Sequence, residues 1–506
     1  MATPGCMTSA ILTITVIQVL TILVALVRSK LLSVLLGPAD FGVVSTIDQV
    51  VMTAVQLGAL GIPFTALKYM SQAHSRGQQE FRPVSTGFLR LLSVTAVVTT
   101  LLASAFFAWF PGVLGADLLP YRWPTQLALV GIPAVTLNIF LVNTLAAAEK
   151  PGTAAQLNLA VMLSLATGAV VGGWAGGVMG LYAGVVIAGC AALIVSLLVL
   201  RRRVGLRFSG GASSVIRTLR QRPSVGSAAA SVYLAMAAYS LSLLAVRATV
   251  LSDLGAVQAG LLQASLSIAL TVGAILTPLS NLFLGPLVNR DIPVASKVSA
   301  ANTFAGEMLV FLMVGALPIV LFPNIVLRLL FTSAFLPAAG AIGLFVLWQC
   351  ISQLGYIYQQ LLIGLDDMFF MAVATVLGYG GAAFLAVILT PRLGLPGVAL
   401  SLLAGMLLYG GAAVVRLRTR HLIGIDSRVV GRAGFVVGAV LGAILLFGGA
   451  DELQLGPLGL RFLYAIAAVG VLWRSLTPAE RNRIRSMPRA LLGVGRGRSM
   501  AQRVPP

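Results

Sequence analysis

Arg28-Ser-Lys-Leu-Leu-Ser-Val-Leu-Leu-Gly37-Pro-Ala-Asp-Phe-Gly42 closes one apolar run, Thr8 to Leu36, and opens a second, Phe41 to Leu67. Two cations sit just inside the boundary. About 220 residues later a version of this stretch returns as Arg247-Ala-Thr-Val-Leu-Ser-Asp-Leu-Gly255-Ala-Val-Gln-Ala-Gly260. In both copies an arginine near the end of an apolar run is followed eight or nine positions on by glycine. A second glycine comes five positions later, and a new apolar run begins. The pattern predicts two copies of one six-helix unit, each first helix carrying an arginine toward a shared cavity.

Composition sets the class. Hydrophobic residues make up 58% of the 506-residue chain and charged ones 9%, with mean hydropathy +0.99, far from globular averages. Runs of about 20 apolar residues, long enough to cross roughly 30 Å of hydrocarbon, recur from end to end. With no water in a bilayer to satisfy backbone groups, such runs must be helices. The expected fold class is an all-α polytopic membrane protein.

Fourteen runs are expected, from 9–36 to 456–473. They divide into an N-lobe over 1–203 (six helices), a basic connector over 204–223 and a C-lobe over 224–420 (six helices). Two extra helices follow over 421–474, then a basic tail over 475–506. With the N-terminus in the cytoplasm, 27 of the 34 Lys and Arg fall on the cytoplasmic side, as the positive-inside rule requires. Both termini are then cytoplasmic, and Met1 to Ser9 leads into a retained first helix rather than a signal peptide. A net charge of +20 suits anionic lipid headgroups, because the cations lie in loops and the tail; no nucleic-acid partner is expected.

The repeat extends beyond the arginine–glycine stretch. Phe110-Pro-Gly ends the third run and Phe322-Pro-Asn the ninth. Gly177-Val-Met-Gly opens the sixth and Gly394-Leu-Pro-Gly the twelfth. Glu149-Lys150 follows the fourth and Asp366-Asp367 the tenth. Six helices per unit is an even number, so both units enter from one side. They form parallel repeats, whose interface is the natural substrate path.

Ionisable groups inside spanning helices are costly and mark candidate functional sites. Gln18, Thr21, Ala25 and Arg28 share one face of the first helix, and Tyr233, Ser240 and Arg247 one face of the seventh. Gln349, Gln353, Tyr356 and Gln360 form an amide stripe on the tenth; Asn138 and Asn143 give the fourth a thinner one. Each has a plainer reading. Arg28 and Lys30 could snorkel to headgroups, Arg247 could pair with Asp253, and the glutamines could be interhelical glue. Asp48 and Glu307 are the two acids clearly inside spanning runs. Either could be an H⁺ or Na⁺ coupling site; Asp48 reads more simply as a charge partner for Arg28 or Lys30, and Glu307 stays open. Cys6, Cys190 and Cys350 have no CxxC spacing, so neither a disulfide framework nor a metal site is expected. His74 and His421 read as solvated loop residues. No P-loop, metal cluster or nucleophile elbow is present. Transport without a cofactor is expected, not catalysis.

The Leu-Gly-Pro-Ala-Asp-Phe-Gly core of Arg28–Gly42, the following Leu57-Gly-Ala-Leu-Gly-Ile-Pro-Phe, and the Gly-x-x-Gly openings of helices six and twelve carry a family resemblance. Over about residues 5–420 the chain resembles the bacterial oligosaccharide flippases. These are the Wzx-like polysaccharide biosynthesis proteins of the multidrug/oligosaccharidyl-lipid/polysaccharide (MOP) exporter superfamily. The resemblance implies two six-helix lobes in a V and alternating access. It also implies an undecaprenyl pyrophosphate-linked glycan as cargo, with polymerase or glycosyltransferase partners. Arg28 and Arg247 would attract the pyrophosphate, while amides and tyrosines would meet sugar hydroxyls. The extra helix pair is similar to that of the peptidoglycan lipid II flippases. Three alternatives stand beside this reading: a lipid II flippase, a cation-coupled drug antiporter of the same superfamily, and a non-transporting scaffold for polysaccharide synthesis.

Overall fold

The computed structural model describes residues 4–205, 223–274, 276, 280, 284, 293–421, 424–448 and 455–491. Among the described residues, twelve helices are long and apolar enough to cross a membrane. Two of them are too long to cross once. Helix α1 (Pro4–Gly58) has 55 residues and would reach about 80 Å if straight. It turns instead at Gly37, whose φ of 68° is open to glycine and costly for other residues. The two arms fold back on each other, so Arg28 meets Asp48 across the bend. Helix α6 (Pro151–Val204) has 54 residues and breaks at Gly176 and Gly177. Its arms lie backbone to backbone, Gly168 against Gly184 and Gly172 against Gly180. Lipid tails are as apolar as leucine, so close packing through small residues replaces the hydrophobic drive. Two bent helices thus give four crossings, and the fourteen expected runs are accounted for.

The repeat is written in backbone angles as well as letters. Phe110 (φ −125°, ψ 58°) ends α3 (Gln78–Trp109), and Phe322 (φ −129°, ψ 51°) ends α9 (Val294–Leu321). Six-residue 3₁₀ helices follow both, Ala116–Tyr121 and Ser333–Ala338. Glu149 and Asp366 take left-handed φ values of 55° and 56°. Gly177 (55°, −142°) is matched by Gly394 (64°, −141°). Such conformations are rare outside glycine, so their recurrence at one spacing shows two copies of one folding unit. The 3₁₀ helices and the short α10 (Pro323–Leu330) were not foreseen. The expected run 41–67 is also interrupted, because Leu60 and Gly61 take positive φ before α2 (Ile62–Arg76).

The copies of the arginine–glycine stretch meet each other. The second arm of α1 crosses α8 (Ala256–Ala274) with Gly42 against Ala256 and Gly260, and Gly260 against Pro38. That arm also runs antiparallel to α7 (Pro223–Leu254). Ser45 lies beside Arg247, Thr53 beside Ser240, and Gly61 beside Ala229. Around the glycine crossing, Phe41 packs edge-on to Phe331 and Phe335, at 6.0 and 5.7 Å between ring centroids. We call this the hairpin end of the bundle and the opposite side the tail end.

The second half continues through α11 (Ala339–Gly364), α12 (Met368–Leu393) and α13 (Leu395–Arg420). The extra helices α14 (Ser427–Phe447) and α15 (Leu455–Ser475) pack on α9. Arg461 is fully buried there. It donates to the Leu321 and Phe447 carbonyls at 2.9 and 3.2 Å, between the Phe322 and Phe447 rings. Those carbonyls lie at helix C-termini, where a cation completes unmet hydrogen bonds and opposes the dipole. At the tail end Arg432 holds Glu480 of α16 (Pro478–Leu491) at 2.9 Å. The connector and the chain beyond 491 lie outside the described residues.

A β-carbon on Gly260 would collide with the Pro38 carbonyl. Gly260→Val should therefore push the halves apart at the hairpin end, toward the roughly 8–10 Å spacing of ordinary helix pairs. Gly380→Val, at a position with open space, should not. Spin labels on the exposed Val34 and Val257 positions measure the separation; an unchanged distance in Gly260→Val would refute the contact.

Candidate substrate site between the two halves

The second arm of α1 is the wall on which the polar groups converge. Its face carries Ser45 and Asp48 one helical turn apart, with Thr53 farther along. Arg28, on the first arm, reaches Asp48 Oδ2 with Nη2 at 3.4 Å. Tyr182 of α6 donates to Asp48 Oδ1 at 3.1 Å and to the Val44 carbonyl at 3.0 Å. From the other half, Arg247 Nη1 donates to Ser45 Oγ at 3.0 Å and Nη2 to Gln263 Oε1 at 2.6 Å. The two matched arginines therefore converge on one turn of one helix.

That cluster holds two guanidinium groups and one carboxylate. The Arg28 and Asp48 side chains are 34% and 41% exposed, so they border open space. The Nε groups of both Arg28 and Arg247 are buried with no acceptor among the described residues. An unmet buried donor costs about 1–3 kcal/mol, which an anion with several oxygens would recover. Of the two readings open for Arg247, the pairing with Asp253 is not the one found: Asp253 accepts from Ser252 instead. Asp48 sits beside Arg28 and Tyr182 and not beside Lys30.

Lys30 does something else. Its Nζ donates to the Arg328 carbonyl at 3.0 Å and to the Phe331 carbonyl, closing the C-terminus of α10 in the other half. Asp117 Oδ2 likewise accepts from the Ala256 amide at 2.9 Å, meeting the positive end of α8. Both contacts strap one half to the other at the hairpin end.

The remaining sequence candidates lie elsewhere. Gln349 and Gln353 are buried on α11 with their amides against Gly273 of α8, as interhelical glue. Gln360 is half-buried on the same helix, and Tyr356 lines a cavity of about 180 Å³ inside the second half. Asn138 is buried in the first half. It donates to the Ala134 and Gly189 carbonyls and accepts from Ser196, which occupies its amide in packing. Gln18 is half-buried near the start of α1. Glu307 is buried on α9, next to Gly306, whose Cα faces Arg432 and Glu480; this is the dock of the extra helices, away from the two arginines.

Sequence reasoning missed Tyr182, Ser45, Gln263 and Asp117. For Gln263 a signal existed: it lies eight residues after Gly255 and Arg247 eight before, so a hairpin at Gly255 puts them opposite. Nothing local marks Tyr182, which arrives from a remote helix. His421 is not the solvated loop residue that its sequence suggests: its Nε2 lies 3.3 Å from Asp367. Asp367 also receives Arg416 at 2.7 and 3.1 Å and Arg420 at 3.2 Å.

These features have parallels among known proteins. The model of the polysaccharide biosynthesis protein family matches residues 8–260, which holds the arginine–glycine stretch and its repeat. The chain belongs to that family. No curated protein matches its sequence. In fold, it is similar to the lipid II flippase MurJ in an inward closed conformation: TM-score 0.69 at 10% identity, covering 91% of this chain and 97% of that one. A multidrug resistance MATE family transporter of the MOP superfamily, inward-facing, gives 0.64 at 14% identity, covering 84% and 99%. A MATE protein in complex with MaL6 gives 0.60 at 15% identity, covering 86% and 99%. The fold is thus the one expected, a MOP-type bundle, and this member of the polysaccharide biosynthesis family is a multi-pass membrane protein.

Two carboxyls at the tail end set an acid limit on stability. Burial alone would raise Glu480, but Arg432, the Thr477 amide and the Thr477 hydroxyl outweigh it and bring its pKa from 4.5 to about 2. Burial likewise works against Asp367, and its bonds from Arg416 and His421, with the charges of Arg416 and Arg420, hold it below its ordinary value. A depressed carboxyl contributes stability above its unfolded pKa and loses it as pH falls through the folded one. The unfolding temperature should therefore be flat near neutrality and fall as pH drops below about 4.5 toward 2. Glu480→Gln should unfold at a lower temperature at pH 7 and show a shallower acid decline; thermal unfolding across pH reads both.

Proposed function

We propose that this transporter flips an isoprenoid (undecaprenyl) pyrophosphate-linked oligosaccharide from the inner to the outer leaflet by alternating access, for cell-surface polysaccharide synthesis. One observation carries the reading: Arg28 and Arg247, one from each repeat, meet around Ser45 and Asp48 with unmet Nε donors. A pyrophosphate offers several anionic oxygens, and guanidinium forks are the side chains best shaped to bind them. Asp48 holds Arg28 while the site is empty and releases it when a stronger anion arrives. In the orientation that the positive-inside rule favours, the hairpin end faces outward and the termini are cytoplasmic. The Gly42–Gly260 contact, Lys30 and Asp117 then close the site to the outside. An organic-cation antiporter would want an acidic site, and two guanidiniums to one carboxylate is the wrong sign. A lipid II cargo shares the pyrophosphate chemistry, and the likeness in fold to MurJ spans 91% of this chain; binding of defined lipid-linked glycans decides between the two.

Charge-assisted hydrogen bonds are worth about 1.5–3 kcal/mol each, and 1.4 kcal/mol is tenfold. Replacing both Arg28 and Arg247 by Ala should lower translocation of a polyprenyl pyrophosphate-linked glycan in proteoliposomes by roughly a hundredfold or more. Lys30→Ala should alter opening at the hairpin end and leave equilibrium binding of the lipid intact. Wild-type flipping by the double variant, at equal protein in the membrane, would remove the proposed site and favour the scaffold reading.

A further inference from the structure

The second half contains a cavity unconnected with any assigned role. It is about 180 Å³ and is walled by Tyr239 of α7, Tyr356 of α11, Tyr379 of α12 and Tyr409 of α13, with Ser352 and Gln359. Glycines make the room: a β-carbon on Gly355 or Gly378 would press on Tyr409, at 3.2 and 2.7 Å. Tyr239 and Tyr379 are locked edge to face, 4.8 Å between centroids and 85° between planes. The geometry points to a subsite for one pyranose ring of the glycan, set beside the arginine cluster and formed by the second half alone.

Three features select that ligand. Among the described residues no charged side chain lines the cavity, so neither a phosphate nor a metal ion finds a counter-charge there. The volume is below the roughly 300–1,000 Å³ of sites for drug-sized molecules, and suits a single ring. Tyr409 is 4% exposed, and its hydroxyl has no hydrogen-bond partner among the described residues. A sugar presents apolar C–H faces to aromatic rings and hydroxyls to phenol, amide and serine groups, so it would satisfy both kinds of wall. Tyrosine faces also attract organic cations, but Arg247 lies eight residues along from Tyr239 on α7, about 12 Å away, and repels them. Tyr239 and Met236 of α7, 41% and 40% exposed, form its outer wall. The Ser240 carbonyl, next to Tyr239 in the chain, accepts from Gln49 and Thr53 of the first half, so this part of α7 borders the surface where the pyrophosphate is proposed to sit.

This inference rests on the glycan cargo proposed above, and its test separates the two. Purified protein in lipid nanodiscs, free of glycoside detergent, is titrated with methyl glucoside, methyl galactoside, methyl N-acetylglucosaminide, tetramethylammonium or inorganic pyrophosphate, and its unfolding temperature is recorded. At least one methyl glycoside should raise the midpoint of the wild type by about 1–2 °C when well above its Kd. Thr375→Trp, which fills the cavity, should abolish that shift. Tyr409→Phe, which removes only the unmet hydroxyl and keeps the ring, should fold normally and weaken it. No glycoside shift in the wild type, an undiminished shift in Tyr409→Phe, or a shift with tetramethylammonium alone would overturn the subsite. Arg28→Ala/Arg247→Ala should lose the pyrophosphate shift and keep the glycoside one. If pyrophosphate has no effect on the wild type while glycosides do, the flippase reading falls and the subsite stands; the reverse result sinks the subsite alone.

Discussion

A guanidinium placed within a bilayer needs partners, and the way the two halves touch determines which partners it finds. Gly42 and Gly260 have no side chains, so the second arm of α1 and the start of α8 meet backbone to backbone. That approach brings Arg247 within 3.0 Å of Ser45, one turn from the Asp48 that Arg28 holds. With any larger residue at the crossing the two arginines would belong to separate environments. Each would then pay for its own burial, at a cost of several kcal/mol. Joined, they share one carboxylate and leave a surplus of positive charge at the interface.

The repeats are alike in backbone and unlike in charge. Glu149 and Asp366 adopt the same rare conformation, and Arg28 and Arg247 occupy matching places. The position matching Asp48, counted from the paired Gly42 and Gly260, is Leu266, and the one matching Lys30, counted from the paired arginines, is Thr249. The acid and the strapping lysine are therefore confined to the first half. An electrically symmetric dimer of halves would carry two acids and cancel its own field. A single acid leaves the site cationic, the sign that an anionic headgroup requires.

The extra helices use buried charge for attachment. Arg461 meets carbonyls at the ends of α9 and α14, and Arg432 meets Glu480 at the opposite end. Neither group bonds to Arg28, Arg247 or Asp48. An ionisable residue in a spanning helix is a functional candidate by default, but here the most deeply buried arginine is a fastener. Its surroundings, not its chemical type, decide what it does.

The class of the fold was legible from the letters because bilayer physics leaves few options. Long apolar runs must be helices, and cations must lie at their ends. The repeat was legible too, since glycine and proline mark turns that no other residue adopts cheaply. Arg28, Arg247 and Asp48 stood out by the cost of burying charge. What the letters could not contain was distance. Tyr182 reaches Asp48 from 134 positions away, and Lys30 reaches α10 from 298. The glutamine stripe looked like Tyr356's companion, yet Gln349 and Gln353 turn toward Gly273 while Tyr356 faces a cavity with three other tyrosines. Periodicity assigns residues to one side of a helix, and only packing determines what that side meets, because the partners come from other helices whose approach depends on where glycine permits contact.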